Sequence, residues 1–190
     1  MSKNFYSFTN GEWKNELVTA YSFRFTETPE FTECPNHITT AVNKNHREGF
    51  DNISLLSKEN YTAGVKARLR CSFDGIGCPE IILVKQPEQC EDGAVRYGEC
   101  FEVVLWKNGV NVWRMWMENG EVTWKQLMGV EFPVSESEIH TLSVLIENDT
   151  LHIEADDRKM QLYIDDLYPE FHLGLNACEG INRFYDLEIM

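Results

Sequence analysis

Positive charge is scarce in this chain of 190 residues: 17 lysines and arginines stand against 31 aspartates and glutamates, a formal net charge of −14. A nucleic-acid duplex or an anionic membrane would be repelled, because phosphate recognition rests on clustered cationic side chains. Neither is expected as a partner. Long apolar runs are also missing, and nothing approaches the roughly 18–20 residues that span a bilayer. The opening residues MSKNFYSFTNGEWK lack the apolar stretch of a secretory signal, so the expectation is a cytoplasmic protein. There is no Gly-rich phosphate loop, no HExxH and no GxSxG. Nucleotide binding, zinc proteolysis and serine hydrolysis therefore lose their usual support, and no cofactor is expected.

The six cysteines, Cys34, Cys71, Cys78, Cys90, Cys100 and Cys178, form no C-x-x-C pair and fit no zinc-site spacing. Cys71, Cys100 and Cys178 sit in apolar runs where a thiol acts as a small hydrophobe. Reduced, structural cysteine is the reading. His37 and His46 lack metal-ligand spacing and read as isolated surface histidines. The acidic bunches Glu154–Asp156–Asp157 and Glu88–Glu91–Asp92 match no EF-hand spacing and read as solvated turns. No metal site is expected.

What the chain does have is alternation. Residues 65–73 (VKARLRCSF) alternate apolar and polar for nine positions, the signature of a half-buried strand with Val65, Ala67, Leu69, Cys71 and Phe73 inward. Further strands are expected at 18–25, 80–84, 99–106, 110–117, 122–128, 141–147, 150–156, 160–164, 172–178 and 184–189. Asn108-Gly109, Asn119-Gly120 and Asn148-Asp149 suit tight hairpin turns. Residues 29–60 read as long connections around a short strand near Ile38, and 86–98 as a second loop. One helical turn each is expected at 133–138 and 163–170. About a dozen short strands over residues 1–190 predict one all-β domain, a sandwich or barrel.

The run HLGLNACEGINRFYDLEI at 172–189 resembles the closing strands of concanavalin A-like lectin/glucanase domains. VKARLRCSF at 65–73 and YGECFEVVLW at 97–106 look like two neighbouring strands of their concave sheet. The likeness covers roughly residues 60–190. It implies a jelly-roll sandwich of two curved antiparallel sheets, with sugars commonly bound in the concave face. Lectins, glycosidases, lyases and inert modules share such a fold, so activity has to be argued from the site.

On that assignment, residues opposite the apolar sets face the groove. These are Arg68, Arg70, Glu102, Trp106, Arg114, Trp116, His172 and Asn176, with Trp113, Met115 and Met117 assigned to the core. Indoles stack on sugar rings, and planar Arg and Asn donors suit hydroxyl or carboxylate groups. The set fits a saccharide ligand, including a uronate-bearing one. The plain alternative is a polar sheet face on which Arg68 pairs with Glu102. Retaining glycosidases hold two carboxyl groups roughly 5–5.5 Å apart. Glu99 and Glu102, three apart on a strand, point to opposite faces. Glu80 is a partner for Glu102 only if its strand lies alongside. Three functional readings follow. The first is a saccharide-binding, lectin-like domain. The second is a glycoside hydrolase or polysaccharide lyase acting on a plant or microbial glycan through Glu102 and His172. The third is a structural or homo-oligomerising module with its tryptophans covered by a partner.

Overall fold

The computed structural model describes residues 4–9, 11–26, 28–40 and 52–190. In chain order these form β1 (Asn4–Ser7), α1 (Trp13–Glu16), β2 (Leu17–Ser22), β3 (Thr32–Cys34), β4 (His37–Thr39), β5 (Asn52–Tyr61) and β6 (Val65–Asp74). There follow β7 (Cys78–Val84), β8 (Glu88–Gln89), β9 (Val95–Tyr97), β10 (Cys100–Trp106), β11 (Gly109–Glu118) and β12 (Glu121–Glu131). The last five are β13 (His140–Glu147), β14 (Thr150–Ala155), β15 (Arg158–Tyr163), β16 (Phe171–Cys178) and β17 (Ile181–Ile189).

The strands build two sheets. One runs β15-β14-β13-β6-β17-β4-β3, with β1 also pairing β17; the other runs β12-β11-β10-β7-β16-β5-β2-β9-β8. Every pairing is antiparallel except β2 with β9. Ala67, Leu69, Leu142, Val144 and Leu187 of the first sheet pack against Leu55, Ile81, Phe101, Val103 and Leu173 of the second in one core. This is the all-β jelly-roll sandwich. The β10-β11-β12 meander forms as the Asn-Gly turns demand, with Asn119 at φ 53° and Gly120 at φ 83°. Only short polar residues and glycine enter that left-handed region cheaply.

Four expectations are corrected. First, β6 is not a neighbour of β10. It pairs with β13 and β17 in the opposite sheet, because alternation fixes which face of a strand is apolar but not which strand lies beside it. Second, β11 turns its faces the other way. Val110 and Val112 enter the core, while Met115 joins a separate cluster on the outer side with Ala20, Leu56, Ile82, Val84, Tyr97 and Cys100. Both parities of VNVWRMWM carry large apolar residues, so the sequence does not say which is inward. Third, residues 52–61 are a ten-residue strand rather than a connection. Its Asn52, Ser54 and Ser57 are buried polar side chains that mimic a loop composition. Fourth, 133–138 and 163–170 contain turns without helix. His46 and the middle of the 29–60 segment lie outside the described residues.

Candidate functional site

The outer face of the nine-stranded sheet is laid out by register. Across β5, β16, β7, β10 and β11, one row reads Ser54, Asn176, Glu80, Val104, Asn111. The adjacent row reads Leu56, Gly174, Ile82, Glu102, Trp113. Glu80 and Glu102 are therefore diagonal neighbours on adjacent strands, about 7 Å apart or somewhat less at Cβ. The floor at Gly174 admits no side chain, since a Cβ there would lie 2.0 Å from the Leu55 carbonyl oxygen.

One half of this face is dry. Tyr97 covers Leu56, Ile82 and Val84, and its hydroxyl lies 2.8 Å from Ser54 Oγ. The other half is a cavity of about 370 Å³ whose walls include Trp106, Trp113 and Trp124, with Glu80, Glu102 and Glu179 opposed by Arg24. The Arg24 guanidinium lies over the Trp124 ring at 4.0 Å. Cys78 and Cys178, direct partners across β7 and β16, close the near end.

A directional hydrogen-bond chain fixes Glu80. Ser54 Oγ donates to Asn176 Oδ1 at 2.8 Å, and Asn176 Nδ2 donates to Glu80 Oε2 at 2.6 Å. Since Ser54 spends its proton on Asn176, Tyr97 is the donor to Ser54. Glu80 is 2% exposed. Burial pushes its carboxyl well above the ordinary glutamate range, the Glu102 charge adds to the rise, and the Asn176 amide opposes it. Burial pushes Glu102 up to about 7, against the lowering effects of the Arg24 charge and the Cys100 thiol. Two carboxyl groups so placed cannot both ionise cheaply, because the charge of each opposes ionisation of the other. The Trp106 Nε1–H is buried and has no acceptor among the described residues.

The expected residues divide. Glu102 and Trp106 line the cavity, and Asn176 stands behind it on Glu80. His172 shares the face but not the cavity. Its Nδ1 lies 2.9 Å from the Ser57 carbonyl oxygen, and its row partner is Val84 rather than Ile82. His172 and Glu102 thus stand in different rows on strands separated by β7, and the fold does not bring them side by side. Arg68 and Arg70 belong to the other sheet, where they meet Glu188 at 3.5 Å and Asp186 at 2.8 Å; the alternative pairing of Arg68 with Glu102 is equally excluded. Arg114 and Trp116 lie on the inner side of β11: Arg114 opposes Phe101, stacks on Trp116 and pairs with Asp166. The acidic bunches are occupied locally, Asp92 by Arg96 and Asp156 by His140 and the Thr141 N–H.

Sequence reasoning missed Trp113, Trp124, Arg24 and Glu179, and raised Glu80 only as a conditional partner. A signal for Glu80 was available: it is the one charged residue in the otherwise buried CPEIILV strand, and a buried acid without a cation marks functional sites.

Comparison of the whole structure places these features in a known fold. Carbohydrate-binding module CBM66 from Bacillus subtilis superposes with a TM-score of 0.59 at 16% identity, covering 86% of this chain and 94% of its own. Bacillus licheniformis β-glucanase gives 0.61 at 10% identity over 100% and 98%. The exoplasmic/lumenal domain of VIP36, in its Ca2+/Man3GlcNAc-bound form, gives 0.58 at 11% identity over 85% and 80%. No family model matches the sequence, and no curated protein does. The fold is the concanavalin A-like jelly roll.

Proposed function

We propose that this protein binds a saccharide in the cavity on the outer face of the nine-stranded sheet. The observation that carries the reading is the meeting of three indoles, Trp106, Trp113 and Trp124, with the buried Glu80 and the half-buried Glu102 in one cavity. Flat aromatic faces take the apolar side of a sugar ring, and carboxyl groups take its hydroxyls. Among solved structures of this fold, a carbohydrate-binding module and the VIP36 domain in its Ca2+/Man3GlcNAc-bound form point the same way. A glycan array followed by calorimetry on Trp113→Ala tests it. The wild type should bind at least one glycan, and the variant should lose that binding without losing fold.

Glycoside hydrolysis is the second reading, favoured by the geometry of the carboxyl pair alone. The diagonal across β7 and β10 sets Glu80 and Glu102 on one face of adjacent strands, and the charge of each opposes ionisation of the other, the condition that keeps one of two such groups an acid while the other is a carboxylate. Release of reducing ends from an array-selected glycan, abolished in Glu102→Gln while binding persists, would establish the enzyme. Saturable binding with no product would leave the binding module.

A further inference from the structure

We infer that the saccharide taken by this cavity carries a cationic amino group, an amino sugar with its nitrogen unacetylated. The inference rests on the saccharide reading above and names the chemical class of its ligand.

Charge is the first argument. Among the described residues, Glu80, Glu102 and Glu179 line the cavity against one guanidinium, that of Arg24. Lys107 stands near enough for its charge to act on Cys78 at the near end, and burial keeps the Cys78 and Cys178 thiols protonated. A uronate would bring a further negative charge beside three carboxyl groups. An ammonium group would instead supply, beside Glu80 and Glu102, the positive charge that lets both carboxyl groups ionise.

The aromatic wall is the second argument, and it is independent of the acids. Indole faces attract cations, most strongly where water is excluded. The protein places a cation of its own against this wall, Arg24 over Trp124. Trp113 follows on from it, opposite Glu102 in the register, so an ammonium beside Glu102 would have an indole and a carboxylate as neighbours. A neutral sugar brings no positive charge to the acids and no cation to the indoles.

Calorimetry with four oligosaccharides of equal length tests the inference: a glucosamine oligomer, its N-acetylated counterpart, a cello-oligosaccharide and an oligogalacturonate. Measurement near pH 6.5 in two buffers of different ionisation heat reads the proton balance. The glucosamine oligomer should bind roughly tenfold or more tightly than its acetylated counterpart, release protons on binding, and weaken as salt is raised. Glu102→Gln should reduce the preference to near unity and abolish the proton release. Trp113→Ala should abolish binding. Glucosamine binding that survives Trp113→Ala would be adsorption to the acidic surface and would overturn the inference. Equal or tighter binding of the acetylated, neutral or acidic oligomer would overturn it too, while leaving the saccharide reading in place. No binding by any of the four or by any array glycan would overturn both.

Discussion

The two outer faces of the sandwich handle charge in opposite ways. On the eight-stranded sheet, arginines and acids meet in pairs: Arg68 with Glu188, Arg70 with Asp186, and Arg183 with Asp74. These groups are partly solvated, and each finds a neighbour across a strand pair. On the nine-stranded sheet, Glu80 is driven out of water with Glu102 half-buried beside it, an amide and a thiol being their hydrogen-bonding neighbours. The first arrangement costs little and stabilises little. The second opposes folding, and its retention beside three indoles points to a ligand rather than to the fold. Arginine count, the feature that draws the eye in so acidic a chain, marks the wrong face.

The comparison can be broken most decisively at Trp113. Trp113→Ala should cost about 2 kcal/mol or more of glycan binding, read by calorimetry, with little change in unfolding midpoint because the ring stands on the outer face. An unchanged affinity would remove the distinction between the faces. Asn176→Ala should come next, at about 1–3 kcal/mol of stability in a urea titration. It removes the amide donor from Glu80 and leaves Ser54 without its acceptor, both in a buried setting. A neutral result would mean that water enters and replaces the amide.

A third prediction concerns pH. Glu102 is raised from 4.5 to about 7 in the folded protein, and Glu80 is raised further by burial and by Glu102. The folded state therefore holds protons that the unfolded state has already released. Stability should be greatest below about pH 4.5 as far as this pair is concerned, and should fall as the pH rises through 7. In Glu80→Gln/Glu102→Gln this decline should flatten, whereas a decline of unchanged slope would assign it to other groups. The smallest effect belongs to the other face. Arg70→Ala breaks a partly solvated ion pair and should cost at most about 1 kcal/mol in chemical denaturation, with glycan binding untouched. A loss of binding there would return the arginines to the site.

Reading Arg68 and Arg70 into the groove was a reasonable step from VKARLRCSF, since the strand and its polar face are both correctly legible. What failed was adjacency. β6 and β10 lie 26 or more residues apart, and nothing local to either strand reports that β7 and β16, rather than β6, flank that part of the groove. Glu102 and Trp106 were placed correctly because Phe101, Val103 and Leu105 form an unambiguous core set. β11 offered no such asymmetry, so Arg114 and Trp116 exchanged faces with Trp113 and Met115. The acidic pair shows the same limit from the other side. Glu80 and Glu102 are 22 residues apart and become neighbours only when β7 pairs with β10.

The sequence by itself determined the periods and the punctuation: strands from period-two alternation, hairpins from Asn-Gly and Asn-Asp, and an acidic, all-β chain. These are local properties, set by backbone sterics and by the face each side chain takes on a strand. The tertiary structure alone decided which strands lie side by side and which of two apolar faces turns inward. Those choices depend on packing between residues far apart in the chain, and alternation carries a period but no sign.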